Sequence, residues 1–332
     1  MAFLGCCRQA DGTFGVAGLS PNLELLGVIA LPNRGHDIAV SPDGAQAVVL
    51  ARRPGRFALV LDLDPLAQQQ ELRAAPGRHF FGHGFYAADG KHFFTTENDF
   101  ERPGSVLGVY DVTAGFLRIG EVDTGGIGAH EALLLRDGET IVVANGGIET
   151  HPDFPRRKLN LSSMRPSLSY LRASDGQLLE QCSAPTRWHQ LSLRHLTQTA
   201  DGEVWIGGQF EGSGSSPALL RHRRGEALDI VDDLDSELAG RLGGYVGSVS
   251  AAANGEMVVA TSPRRNRALA LEARTGRLVR SVQIADVCGA AANPGVLLSA
   301  GTGSVRSIGG HERSFPLAWD NHLVGVRPSP SG

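Results

Sequence analysis

The chain has 332 residues, of which 42% are hydrophobic and 20% charged, and its formal net charge is −4. So small and dispersed a charge, with no basic stripe, argues against nucleic acid as a partner. No apolar run approaches the roughly 18 residues a membrane-spanning helix needs.

In chain order, residues 1–10 show neither a basic n-region nor an apolar h-region, so no export signal is read in this chain. The four cysteines, Cys6, Cys7, Cys182 and Cys288, make no CxxC pair and are expected to be free thiols. Residues 2–31 contain three strand-like runs, starting at Phe3, Phe14 and Leu23 and punctuated by Asp11-Gly12 and Ser20-Pro21-Asn22. A full unit follows, with strands predicted over His36–Ser41, Ala45–Ala51, Phe57–Leu63 and Gln70–Ala75. The third is a continuous apolar run, the pattern of a strand buried on both faces. Similar units begin at Gly84, Ala132, Leu196, Gly247 and Gly289, and one strand, Leu323–Arg327, is left over at the end.

Four-strand units of about 40–50 residues are the signature of a β-propeller, which closes radially and protects its sheet edges. Three strands at the start and one at the end complete a further unit. The fold expected is therefore all-β, a seven-bladed β-propeller in one domain over residues 1–328. Its last blade is closed by three N-terminal strands (1–31) and an inner C-terminal strand (319–328), with a short tail at 329–332. A lid-like insertion, 146–166, with His151, Asp153, Arg156, Arg157 and Lys158, interrupts the third unit between its second and third strands.

A histidine recurs ahead of the first turn of four units. His36 precedes Asp43-Gly44, His83 precedes Asp89-Gly90, His130 precedes Asp137-Gly138 and His195 precedes Asp201-Gly202, with His322 as a late echo. These positions begin the innermost strand of a blade, so five blades are expected to aim an imidazole at one mouth of one channel. The ends of the second strands share that face and carry Arg52-Arg53, Glu97-Asn98-Asp99, Asn145 and Gln209-Phe210-Glu211. Imidazoles ringed by carboxylate, amide and guanidinium groups suit a metal or an anionic ligand. His36, His83, His130, His195 and His322 are thus the candidate metal ligands. Arg52, Glu97, Asn98, Asn145 and Gln209 form the surrounding set, with Glu97 the expected carboxylate partner. Imidazole suits iron, copper or zinc, and a carboxylate tilts the choice towards iron or zinc. His79, His92, His189, His222 and His311 fall outside the register, and Cys288 reads as a small buried hydrophobe.

Several stretches carry a resemblance: Arg34-Gly35-His36, Ala51-Arg52-Arg53-Pro54-Gly55-Arg56, Gly82-His83-Gly84, Thr96-Glu97-Asn98-Asp99, Gly128-Ala129-His130-Glu131, Ser192-Leu193-Arg194-His195-Leu196 and Trp319-Asp320-Asn321-His322. Over nearly its whole length the chain resembles an uncharacterised bacterial family, classed only as a domain of unknown function and predicted to be propeller-like. The resemblance implies an exported, periplasmic protein. It further implies a link to metal uptake, iron above all, through a periplasmic partner of the imelysin-type, iron-regulated systems. The leading expectation is a periplasmic, monomeric propeller that binds a transition metal or a metal-bearing ligand at the channel mouth. A hydrolase, lactonase or oxidoreductase using the same His/Glu/Arg set is the alternative, and a protein-interaction scaffold is a third reading.

Overall fold

Alternating apolar residues on strands two and three of each unit give every sheet two faces that need cover. In the computed structural model, which describes residues 1–154, 157–232, 237–292 and 296–326, seven four-stranded antiparallel sheets meet this need by packing side by side around one axis. Arg156 of the insertion, Arg327 of the expected last strand and the 329–332 tail lie outside the described residues. The innermost strands are Gly35–Val40, Arg78–Tyr86, Ala129–Leu134, Leu191–Gln198, Ser248–Ala251, Val287–Ala292 and Leu317–Gly325, in blades one to seven. The seven-bladed propeller expected from the sequence is the fold observed.

Seven apolar clusters fill the seven gaps between neighbouring blades. The alternation that sorts residues between gaps is plain in blade one. Ala47, Val49 and Ala51 face blade seven with Leu59 and Leu61, whereas Val48 and Leu50 face blade two with Ala58 and Val60. The adjacent thiols divide in the same way: Cys6 packs towards blade one and Cys7 towards blade six, and all four cysteines are free.

Blade seven closes the ring by pairing Phe3–Gln9 with Leu317–Gly325. This inner strand starts earlier than the sequence suggests, at Leu317 rather than Leu323. Asp320, Asn321 and His322 break its apolar pattern, yet they sit within a strand whose ends pair normally (Gln9 with Leu317, Phe3 with Gly325). Blade two differs likewise, its inner strand running Arg78–Tyr86 instead of starting at Gly84. No helix among the described residues is long and apolar enough to cross a membrane.

Candidate metal centre

On an undisturbed strand, successive side chains alternate faces, and seven inner strands would present a smooth wall to the channel. Here six of the seven are interrupted, each at the residue of interest. The pairing register shifts between Gly35 and Ile38, Phe80 and Gly84, Ala129 and Glu131, Leu193 and His195, and Val287 and Gly289. In blade seven it shifts across Asp320–His322. His36, His83, His130 and His322 lie inside these bulges, His195 closes one, and Cys288 occupies the sixth. Blade five, which has neither histidine nor cysteine on Ser248–Ala251, pairs without a shift. A bulge re-aims a side chain at the expense of a ladder bond. Some of the disturbed carbonyls find a new donor: Thr96 Oγ1 donates to the carbonyls of His83 (3.2 Å) and His130 (3.3 Å).

The five re-aimed imidazoles meet on the axis, His36, His83, His195 and His322 buried and His130 half-buried. His83 stands in the middle, its ring centroid 4.9 Å from His36, 4.9 Å from His130, 5.7 Å from His195 and 4.8 Å from His322. The other four surround it, with His36–His322, His130–His195 and His195–His322 at 4.8, 4.8 and 4.9 Å. Among the described residues, four buried ring nitrogens of this group have no hydrogen-bond partner: His36 Nδ1, His83 Nε2, His130 Nδ1 and His322 Nε2. Two three-histidine sets, His36/His83/His130 and His83/His195/His322, each bring their ligand atoms within 4.8 Å of one another and share His83.

Two carboxylates orient the set. Asp37, next to His36, reaches across to blade two, where its Oδ2 accepts from His83 Nδ1 at 2.8 Å. Because the Asp37 carboxyl is held below its ordinary range (burial raises it, but the charges of His83 and His322 and the His83 hydrogen bond outweigh that), it is ionised and can only accept. The proton therefore sits on Nδ1 of His83, which turns Nε2 towards the other rings. Glu131, next to His130, places Oε2 3.2 Å from His195 Nδ1 and 3.6 Å from His83 Nδ1. Burial, reinforced by Asp37, pushes Glu131 up to about 8.

The imidazoles divide accordingly. Burial holds His36, His130 and His195 well below the ordinary imidazole value, and neighbouring histidines add to the effect. Burial takes His322 down to about 4. His83 alone is raised: burial acts against it, but Glu131 and Asp37 together prevail. Four rings held neutral and one ring fixed by a carboxylate are the form in which imidazole binds metals.

The surrounding set expected from the sequence is less united. Arg52 lies beside the rings and pairs with Asp320 at 3.5 Å. Glu97 turns instead into blade two, where its carboxylate accepts from Thr95 (2.8 Å), Tyr110 (3.0 Å) and Arg118 (2.9 Å). Asn98 donates to His79 Nε2 and to the Thr150 carbonyl, tying blade two to the insertion. Asn145 is spent on Thr124 O, Ser167 Oγ and Ser169 Oγ. Gln209 is buried and pairs through its backbone with Tyr245. The Cys288 thiol donates to the Asp320 carbonyl at 3.1 Å and packs in the apolar gap between blades six and seven. The insertion reaches blade two through Thr150 and blade four through Gln190, which donates to Leu161 O, and through the Lys158–Glu211 ion pair. Asp37 and Glu131 were not among the residues singled out, although the dipeptides His36-Asp37 and His130-Glu131 repeat the same pairing of imidazole and acid.

Among solved structures, the chain is similar to a Kuenenia stuttgartiensis hydrazine synthase chain. The two share 16% identity and a TM-score of 0.63, over 89% of this chain and 90% of that one, a likeness of fold. No curated protein matches it. A family model does, across residues 29–326 and so through every blade: the chain belongs to the family described as protein of unknown function, DUF1513.

Proposed function

We propose that this protein binds one transition-metal ion on the propeller axis, with ligands drawn from His36, His83, His130, His195 and His322 and with Asp37 and Glu131 orienting them. The observation that carries this reading is the set of four partnerless ring nitrogens, buried together and contributed by four blades. A buried polar atom left unsatisfied costs about 1–3 kcal/mol, and a bound metal supplies the missing partner. Iron is the element we favour, since imidazole with carboxylate nearby suits iron or zinc ahead of copper(I). On this reading the protein is an exported, periplasmic monomer working with a partner in iron uptake, as its sequence resemblance implies. The insertion acts as a lid, and Arg52 with Gln209 forms an outer layer.

The test is metal content by mass spectrometry on purified protein, beside a variant with His83→Ala and His130→Ala. About one equivalent in the wild type, lost in a variant that keeps its circular dichroism, is expected. No metal after loading with iron, copper or zinc would sink the proposal. Metal-dependent turnover of a small ester, lactone or redox dye would redirect it to an enzyme, and capture of a partner by metal-free protein to a scaffold.

A further inference from the structure

The histidine end of the channel carries a second feature, a group of cationic side chains outside the ligand set. Arg34 and Arg52 converge on the one carboxylate of Asp320, two residues before His322. Arg194, adjacent to His195, pairs with Glu211 at 2.8 Å, and Lys158 of the insertion reaches the same carboxylate. Arg264 lies over the Tyr245 ring at 4.6 Å. Arg53, half-buried at the end of the blade-one strand, has no hydrogen-bond or ion-pair partner among the described residues. Of these six cationic side chains, four pair with only two carboxylates, Asp320 and Glu211, and Arg53 and Arg264 have no ion pair among the described residues.

We propose that these cations form a binding site for a small multivalent oxyanion, next to the imidazoles and distinct from them. Burial first, then Arg194 and Arg52, bring Arg53 down to about 10. Arg52 and Arg194 also act on His195, so both stand at the cluster rather than out on the rim. Beside their contacts to Asp320, Arg34 and Arg52 keep side-chain exposures of 44% and 38%, which leaves both open to a ligand from solvent. Like charges crowded in this way favour an anion, and the planar fork of arginine matches a carboxylate or phosphate through two hydrogen bonds. The arginine donors come from blades one, four and five, at the starts of inner strands or the ends of second strands, which suits a small ligand with several charged groups. Under the metal reading this field favours a metal carried by an anionic chelator over the bare ion, but the anion site does not depend on the metal.

The experiment is calorimetric titration of citrate, and separately of inorganic phosphate, into protein stripped of metal on a chelating resin. Single-site binding with a Kd of about 0.1 mM or tighter is expected for at least one of them, weakening as sodium chloride is raised. The tighter of the two names the class as carboxylate or phosphate. Arg53→Gln, which breaks no internal pair, is expected to weaken binding about tenfold, and Arg52→Gln with Arg53→Gln to weaken it further. The variant with His83→Ala and His130→Ala is expected to bind the anion as wild type does, so the site can fail or stand independently of the metal. Absence of binding by both anions up to about 10 mM, or wild-type affinity in both arginine variants, would overturn the assignment.

Discussion

Asp37 and Glu97 are both acidic, both near the channel and both buried or nearly so, yet they have different work. Asp37 holds the Nδ1 proton of the central histidine. Glu97 has its oxygens filled by Thr95, Tyr110 and Arg118 within its own blade. Asp37→Asn is therefore expected to weaken metal binding about 10–100-fold with the fold intact, read by competition with a chromophoric chelator. Glu97→Gln is expected to lower stability and leave metal affinity in place; equal losses in the two variants would contradict this division. Titration belongs to the same scale. In metal-free protein, His36, His130, His195 and His322 resist protonation in the fold, whereas the unfolded chain takes up protons near 6.5. An unfolded state that binds more protons gains as pH falls. The stability contributed by these four rings is thus present above pH 6.5 and lost as pH falls below it, for His322 down to about 4. Glu131 and His83 have the opposite sign: both hold a proton in the fold to higher pH than in the unfolded chain. Their contribution is lost as pH rises, through about 8 for Glu131. Between 4.5 and 6.5 four imidazoles oppose one carboxyl, so the urea midpoint is expected to peak near pH 6.5 and fall on both sides. A midpoint flat across that range would show that the cluster does not titrate in this way.

At the scale of the element, the bulge is what turns a wall of strands into a site. Gly82 shows how tightly it is built. Its φ of +109° lies in the region side chains rarely adopt, and a Cβ there would meet His36 Cδ2 at 2.5 Å. The residue that lets the blade-two strand shift is thus also the floor for the imidazole of blade one. Gly82→Ala is expected to cost about 1–3 kcal/mol in strain and to displace His36. The measurement is paired: a lower urea midpoint together with weakened metal binding. Lost stability with unchanged metal affinity would mean that His36 is not held by this contact. The periodic histidines and the turns after them were legible because they are local. The bulges were not, since an extra residue in one strand is defined only by the pairing of its neighbour. For the same reason the acids after His36 and His130, which strict alternation would turn away from the site, escaped notice.

For the whole molecule, ring closure decides whether the five histidines meet at all, because they belong to blades one, two, three, four and seven. Blade seven joins both ends of the chain, and Trp319 is its buried anchor. Trp319 packs directly over Gly5, donates from Nε1 to the Gly303 carbonyl at 3.3 Å, and fills the gap between blades six and seven. Trp319→Ala is expected to cost about 3–5 kcal/mol, seen in denaturant unfolding, and to weaken metal binding at temperatures where the closing strand frays. Unchanged stability would mean that closure rests on the strand pairing alone.

The sequence by itself determined the seven four-stranded units, the closure of the ring by both termini and the five histidines at one register. All of these follow from local periodicity: two-residue alternation, turn glycines and a repeat of blade length. Tertiary structure decided the rest. Which acid faces which imidazole, that Glu97 turns into its own sheet, and that the rings meet on the axis are relations between blades. They arise only when strand bulges and ring closure bring separate sheets within a few ångströms of one another, and no pattern within a single blade encodes them.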